Sequence, residues 1–317
     1  VTAMRDLCHV LLPALESLIY TLASRGQQLA SVTKTGRTHL MDAMPLTFGQ
    51  ELGAWAAQLK DCRQRFIDLQ ARLRQLPIGG SAVGTGVNVP VGFTERLLPE
   101  LNALTELSFV VAPDAFSRMA GQDVALECSA CLRALAVSLG KINNDLRWMA
   151  SGPLSGLAEI ELQALQPGSS IMPGKVNPVL PEAVLMVAAE VIGNDSTVSV
   201  AAQSGNFQLN VMLPLIADKL SGGFESLSWA SEATARSVAG FQVNHQRIDR
   251  SLASNPILVT ALNATIGYEA AAVIAKRSYA EQRPVLEVAV EETSLTREAL
   301  EQLLDPYRLT QPAGAGD

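Results

Sequence analysis

The 317-residue chain is poor in aromatic residues, poor in charge and poor in cysteine. Aromatics make up 5% and charged residues 17%, against 48% hydrophobic. The four cysteines, Cys8, Cys62, Cys128 and Cys131, are too few to build a disulfide scaffold. Cys128 and Cys131 form a single C-x-x-C inside an apolar run, with no second ligand pair at metal spacing. They are therefore expected to be packing residues, and no metal is expected. Lys/Arg-rich runs are missing and the net charge is -7. That balance lacks the basic footprint of nucleic-acid binding. It still permits an anionic substrate, because one local lysine is enough to capture a carboxylate. No secretory signal opens the chain. The longest apolar run, 183–189, is far shorter than the about 18–20 residues that cross a bilayer. These absences predict a cytoplasmic protein with no membrane partner.

What the chain does have is Ala, Leu and length. Enough apolar residues are present for a large core, and long helices packed on helices are the expected arrangement. Leu7, Leu11, Leu15, Leu18, Leu22 and Leu29 recur at helical spacing through 3–30. A Thr-rich loop is expected over 32–45 and a second long helix over 47–76. Six glycine and proline residues make 79–92 a loop. Further helices are predicted over 95–107, 115–150 and 211–240. The stretch 182–203 is apolar nearly all round, and Pro181 suits a first helical turn. A helix without a polar face has to be buried on all sides, which predicts the centre of a bundle shared between subunits. No strands are expected. The reading is thus all-α, with a helical-bundle domain over 1–242. A small C-terminal helical domain follows over 243–317, where the helices shorten and become more charged. A disordered tail is expected over 310–317.

Only three histidines narrow the search for chemistry. His9 lies within the first helix and His245 in a polar stretch, and both are expected to be structural or solvated. His39 lies in Gly36-Arg37-Thr38-His39-Leu40-Met41-Asp42, a loop among hydrogen-bonding residues. The second candidate is Gly168-Ser169-Ser170-Ile171-Met172-Pro173-Gly174-Lys175-Val176-Asn177-Pro178. Its glycines permit tight backbone angles, its serines offer hydroxyls, Lys175 a positive charge and Asn177 a two-sided amide. By pattern alone it is either an anion-binding loop or a structural turn, and it lacks nucleotide P-loop spacing.

That segment resembles the G-S-S-x-M-P-x-K-x-N-P signature loop of the fumarase/aspartase superfamily. Gly36 to His39 with Leu46 to Glu51, the glycine-rich 80–88, Ser204 to Asn210 and Ile257 to Asn263 are similar to four other regions of that family. The resemblance runs from Val1 to about Pro306, and Gly174 favours the fumarase branch. It implies a helical bundle of the fumarase/aspartase type and a homotetramer whose active sites are assembled from three subunits. It also implies reversible removal of water from (S)-malate, a small dicarboxylate, without metal or organic cofactor. Aspartate ammonia-lyase and a non-catalytic structural homologue are the alternatives. By resemblance, Ser169 is the catalytic base, and His39, paired with Glu182, handles a water or the departing hydroxyl. Thr38, Ser170, Lys175 and Asn177 bind substrate. The chain opens at Val1, inside a helix, and without the family's N-terminal domain and its Ser-Ser-Asn region. The expectation is a truncated chain with little or no activity.

Overall fold

A computed structural model describes residues 1–311. Helix α1 spans Thr2–Gln28, with a π-helical turn at Leu7–Leu11. The hairpin strands β1, Thr33–Thr38, and β2, Met41–Thr47, follow. The remaining long helices are α2, Phe48–Leu73, α3, Phe93–Thr105, α4, Asp123–Met149, α5, Val179–Gln203, and α6, Leu213–Gly240. Shorter helices fill the chain after His245.

The chain divides into two compact units. The first contains Val1–Thr21, Ala56–Trp148 and Ala164–Gly240. Its core is aliphatic: Leu7, Leu11, Leu15 and Leu18 from α1, Leu59 and Leu69 from α2, Leu135, Leu139, Ile142 and Leu146 from α4. Each such side chain removed from water contributes about 1.5–3 kcal/mol before the entropy of ordering the chain is counted. Two buried polar ties set the register of the helices. Asn143 of α4 donates to Leu139 O at 2.9 Å and to Thr234 Oγ1 of α6 at 2.8 Å. Asp195 of α5 accepts from Ser129 Oγ at 2.8 Å and from Arg133 at 2.5 Å.

The second unit contains Leu22–Trp55, Met149–Gln163 and Phe241–Asp317. It holds the β1–β2 hairpin and a small core built from Leu258, Leu262, Ile274, Val285, Val288 and Leu300. Three of its short helices start on side-chain caps, as a polar N-cap residue satisfies an otherwise unpaired amide. Asn244 accepts from Arg247 N, Asn255 from Ile257 N and Thr296 from Ala299 N. The expected division at 242/243 lies beside one edge of this unit, which also gathers two segments from earlier in the chain.

Several expectations change. Strands exist among the described residues, as three two-stranded sheets: β1–β2, Gln75–Leu76 with Val110–Val111, and Ile160–Glu161 with Gln242–Val243. The Thr-rich segment read as loop is a hairpin, because β-branched threonines fit a pleated strand as readily as a loop. The helix expected over 115–150 is two, Ala115–Ala120 and Asp123–Met149, interrupted at Gly121. Two helices, Thr2–Gln28 and Val179–Gln203, are long and apolar enough to cross a membrane by length and composition, although no unbroken apolar run is. Finally, α5 is not covered on all sides within one chain. Pro181, Val184, Ala188, Val191, Asp195, Val198 and Ala201 make one buried stripe, while Met186 is 71% and Val200 58% exposed. Hydropathy reports that a face is apolar, not which chain covers it. Of the expected tail, Thr310 is buried and accepts from Gln50 Nε2 at 2.8 Å. Residues 312–317 lie outside the described residues.

Candidate active site

In the first unit, residues 168–178 form a loop closed at its neck. Gly168 N donates to Lys175 O at 2.8 Å, and Asn177 Nδ2 donates to Gly168 O at 3.0 Å. A Cβ on Gly168 would stand 2.3 Å from Lys175 O, so only glycine allows this closure. Gly174 turns the tip with φ +80. Inside the loop the N–H groups of Ile171 and Met172 both donate to Ser169 Oγ, each at 3.2 Å. Two donors aimed at one oxygen favour its anionic form, and so lower the cost of drawing the proton from the hydroxyl. A cavity of about 400 Å³ opens here, lined among others by Gln166, Pro167, Ser169, Met172 and Lys175.

Asn177 leads directly into α5, whose first-turn amides place partial positive charge at this end of the helix. Glu182 lies in that first turn and is half-buried. The helix begins at Val179, two residues before the expected start at Pro181, and Glu182 keeps its place near the positive end. Ser170 and Lys175 are exposed on the loop, and Ser169 is half-buried. Asn177 spends its amide N–H on the neck of the loop, a structural duty that sequence did not suggest.

Thr38 and His39 belong to the second unit and stand at the tip of the β1–β2 hairpin, both exposed. His39 and Leu40 have φ +56 and +63. This is a two-residue turn with left-handed backbone at both positions, normally filled by Asn-Gly. A non-glycine residue there costs roughly 1–2 kcal/mol. The base of the hairpin carries a charge network that sequence reasoning missed. Lys34 is 1% exposed and Glu159 4%. Lys34 Nζ lies 2.9 Å from Glu51 Oε2 and 2.8 Å from Glu159 Oε2, and 4.6 Å from the centre of the Phe48 ring. The contact with Glu159 Oε2 is an ion pair without hydrogen-bond alignment. Arg37 pairs with the other oxygen of Glu159. A lysine and an arginine three apart in a Thr-rich stretch were the only available signal, and that signal is shared by any solvated loop.

The other candidates behave as structure. His9 Nε2 is 3.1 Å from Thr105 O, and His245 is exposed in the first turn of its short helix. All four cysteines are free. Burial pushes the Cys128 thiol far up, and raises those of Cys8 and Cys131.

A bundle of long helices bearing this serine-lysine loop is the architecture of a helical-bundle lyase, and residues 1–193 match a family model described as lyase. Residues 258–311 match a second one, described as fumarase C C-terminus. The class II fumarate hydratase 2 of Pseudomonas aeruginosa is 53% identical over 311 residues, covering 98% of this chain and 68% of that protein. The class II fumarate hydratase of Xylella fastidiosa is 56% identical over 302 residues, covering 95% and 64%. Among solved structures, recombinant class II fumarase from Schistosoma mansoni superposes with a TM-score of 0.92 at 34% identity, covering 98% of this chain and 68% of that one. The chain belongs to the class II fumarase family. It spans about two thirds of the length of the curated relatives it matches.

Proposed function

We propose that this chain carries the catalytic loop of a fumarate hydratase, which interconverts (S)-malate and fumarate. Ser169 acts as the base. As its alkoxide it takes a proton from C3 of malate, and the electron pair moves into the adjacent carboxylate. Lys175 and Asn177, with Thr38 and Ser170, hold the substrate carboxylates. Lys175 stabilises the charge that develops there. The C2 hydroxyl then leaves, protonated through a water handled by His39, which pairs with Glu182 in a site assembled from different subunits of the homotetramer. Asn177 carries a second amide N–H besides the one donated to Gly168 O, and that N–H serves the carboxylate. The observation that carries this reading is the pair of backbone N–H groups directed at Ser169 Oγ. They supply a physical means to make a poor base competent.

The test is formation of fumarate from (S)-malate, followed by ultraviolet absorbance, in the protein that carries this chain. Ser169→Ala is expected to lower kcat by about 10²–10⁴-fold with little change in KM. Full turnover in that variant would refute the assignment. L-Aspartate is the control substrate: ammonia release without malate turnover would replace the hydratase by an ammonia-lyase, and turnover of neither would favour a non-catalytic homologue.

The assembly belongs to the same proposal. The exposed apolar residues of α5, Met186, Ile192 and Val200, are covered by α5 of other copies in a cytoplasmic homotetramer. Met186→Arg should lower the sedimentation coefficient, and a wild-type protein sedimenting as a monomer would rule the tetramer out.

A further inference from the structure

We infer that Glu159 is a positioning residue that holds the Thr38–His39 tip in its strained turn. The inference rests on the reading of His39 as a site residue and extends it to a group that touches no substrate.

In a regular strand, residues three apart face opposite sides. Lys34 and Arg37 of β1 nevertheless reach the two oxygens of one carboxylate. The strand is irregular between them: at the register shift between Thr35 and Arg37, two residues of β2, Ala43 and Met44, stand opposite the single Gly36. Across this distorted stretch both long cationic side chains reach Glu159. Gly36 is required for this. A Cβ there would come within 2.5 Å of Met44 O and 3.1 Å of Leu46 Cδ2.

Glu159 itself is fixed through its backbone. Its N–H donates to Met149 O at 2.9 Å, and its carbonyl accepts from Asn244 N at 2.9 Å. The carboxylate is therefore a fixed post, and the strand is tied to it at two points, one of them at Arg37, immediately before Thr38. A turn with two non-glycine residues at positive φ does not hold itself. The tie at Arg37 supplies the constraint next to the tip. Lys34, between Glu51 and Glu159, supplies it at the base.

The experiment is hydrogen–deuterium exchange of the peptide spanning 33–47, together with steady-state kinetics, in the protein that carries this chain. The variants are Glu159→Gln, Arg37→Met and Arg37→Lys. Arg37→Met keeps the buried Lys34–Glu159 pair, so it retains the fold should Glu159→Gln fail to. Hairpin exchange is expected to quicken by about tenfold or more in Glu159→Gln and Arg37→Met, while exchange in α6 stays unchanged. Turnover is expected to fall by about tenfold and KM to rise, because the misplaced tip carries both His39 and the carboxylate-binding Thr38. Arg37→Lys, which keeps the charge, should recover most of both. Unchanged hairpin exchange in Arg37→Met overturns the inference, whatever the kinetics. A separate variant tests the reading beneath it. If His39→Asn turns over malate normally, the role of His39 fails, while the exchange result still decides the role of Glu159.

Discussion

Replacing Gly168 by alanine tests whether closure of the loop neck controls the chemistry. The added Cβ would meet Lys175 O at 2.3 Å, Lys175 C at 2.8 Å and Asn177 N at 3.1 Å. Ordinary carbon–oxygen contact needs about 1 Å more. The neck must therefore open, which removes the 2.8 Å bond from Gly168 N to Lys175 O and the 3.0 Å bond from Asn177 to Gly168 O. At about 0.5–1.5 kcal/mol each, the two bonds amount to about 1–3 kcal/mol. If that energy organises Ser169 and its two amide donors, kcat/KM for malate should fall by about 5- to 150-fold. The loop is exposed and outside the core, so the melting temperature should move by no more than about 5 °C. Gly174→Ala is the internal control. Nothing lies within 4 Å of its Cβ, and only φ +80 resists the change. Its penalty is about 1 kcal/mol, or about fivefold. Asn177→Ala in the Gly168→Ala background should add less than it does alone, since that bond is already broken. Equal effects of the two glycine substitutions, or a large fall in melting temperature for Gly168→Ala, would refute the reasoning.

Two further outcomes follow from the same structure. Hydrogen bonds from Arg277, then Arg283, hold the Glu281 carboxyl below the usual range, Arg297 does so for Glu287, and Arg283 with Arg277 for Glu291. Depressed carboxyl values mean stability that is present above the ordinary glutamate range, about pH 4.3, and lost as pH falls through the folded-state values. Thermal stability should therefore fall on acidification below that point and with added salt, since the network is exposed. Arg277→Met should flatten both dependences, and identical salt and pH slopes would count against it. Cys128 should resist alkylation in the native state, because burial disfavours its thiolate and blocks access. Mass spectrometry should find it labelled only after denaturation, behind Cys8 and Cys131, and native labelling at the rate of Cys8 would contradict its placement.

The long helices were legible because their evidence is repetitive. Leucines at steps of three and four through α1, and apolar residues along α2, α4 and α6, specify a periodic face whatever they pack against. The hairpin was not legible. Thr33, Thr35, Thr38 and Thr47 suit strand and loop alike, and a two-stranded ribbon closed by His39-Leu40 carries none of the Asn-Gly chemistry that marks such turns. The loop at 168–178 was recognisable as a motif, yet its pattern alone favoured an anion site without excluding a structural turn.

The sequence by itself determined the helical periodicity, the identity of the Ser169 loop and the shortage of competing histidines, because each is a property of local spacing or of residue type. Only the tertiary structure decided the rest. It directed two amides at Ser169 Oγ, engaged Asn177 in closing the neck, and placed Lys34 and Arg37 on one carboxylate from a segment more than a hundred residues away. It also divided α5 into a covered stripe and an open one. The physical reason is common to all four. Hydrogen-bond direction, ion pairing and burial depend on where distant segments meet, and no local pattern of side chains encodes that meeting.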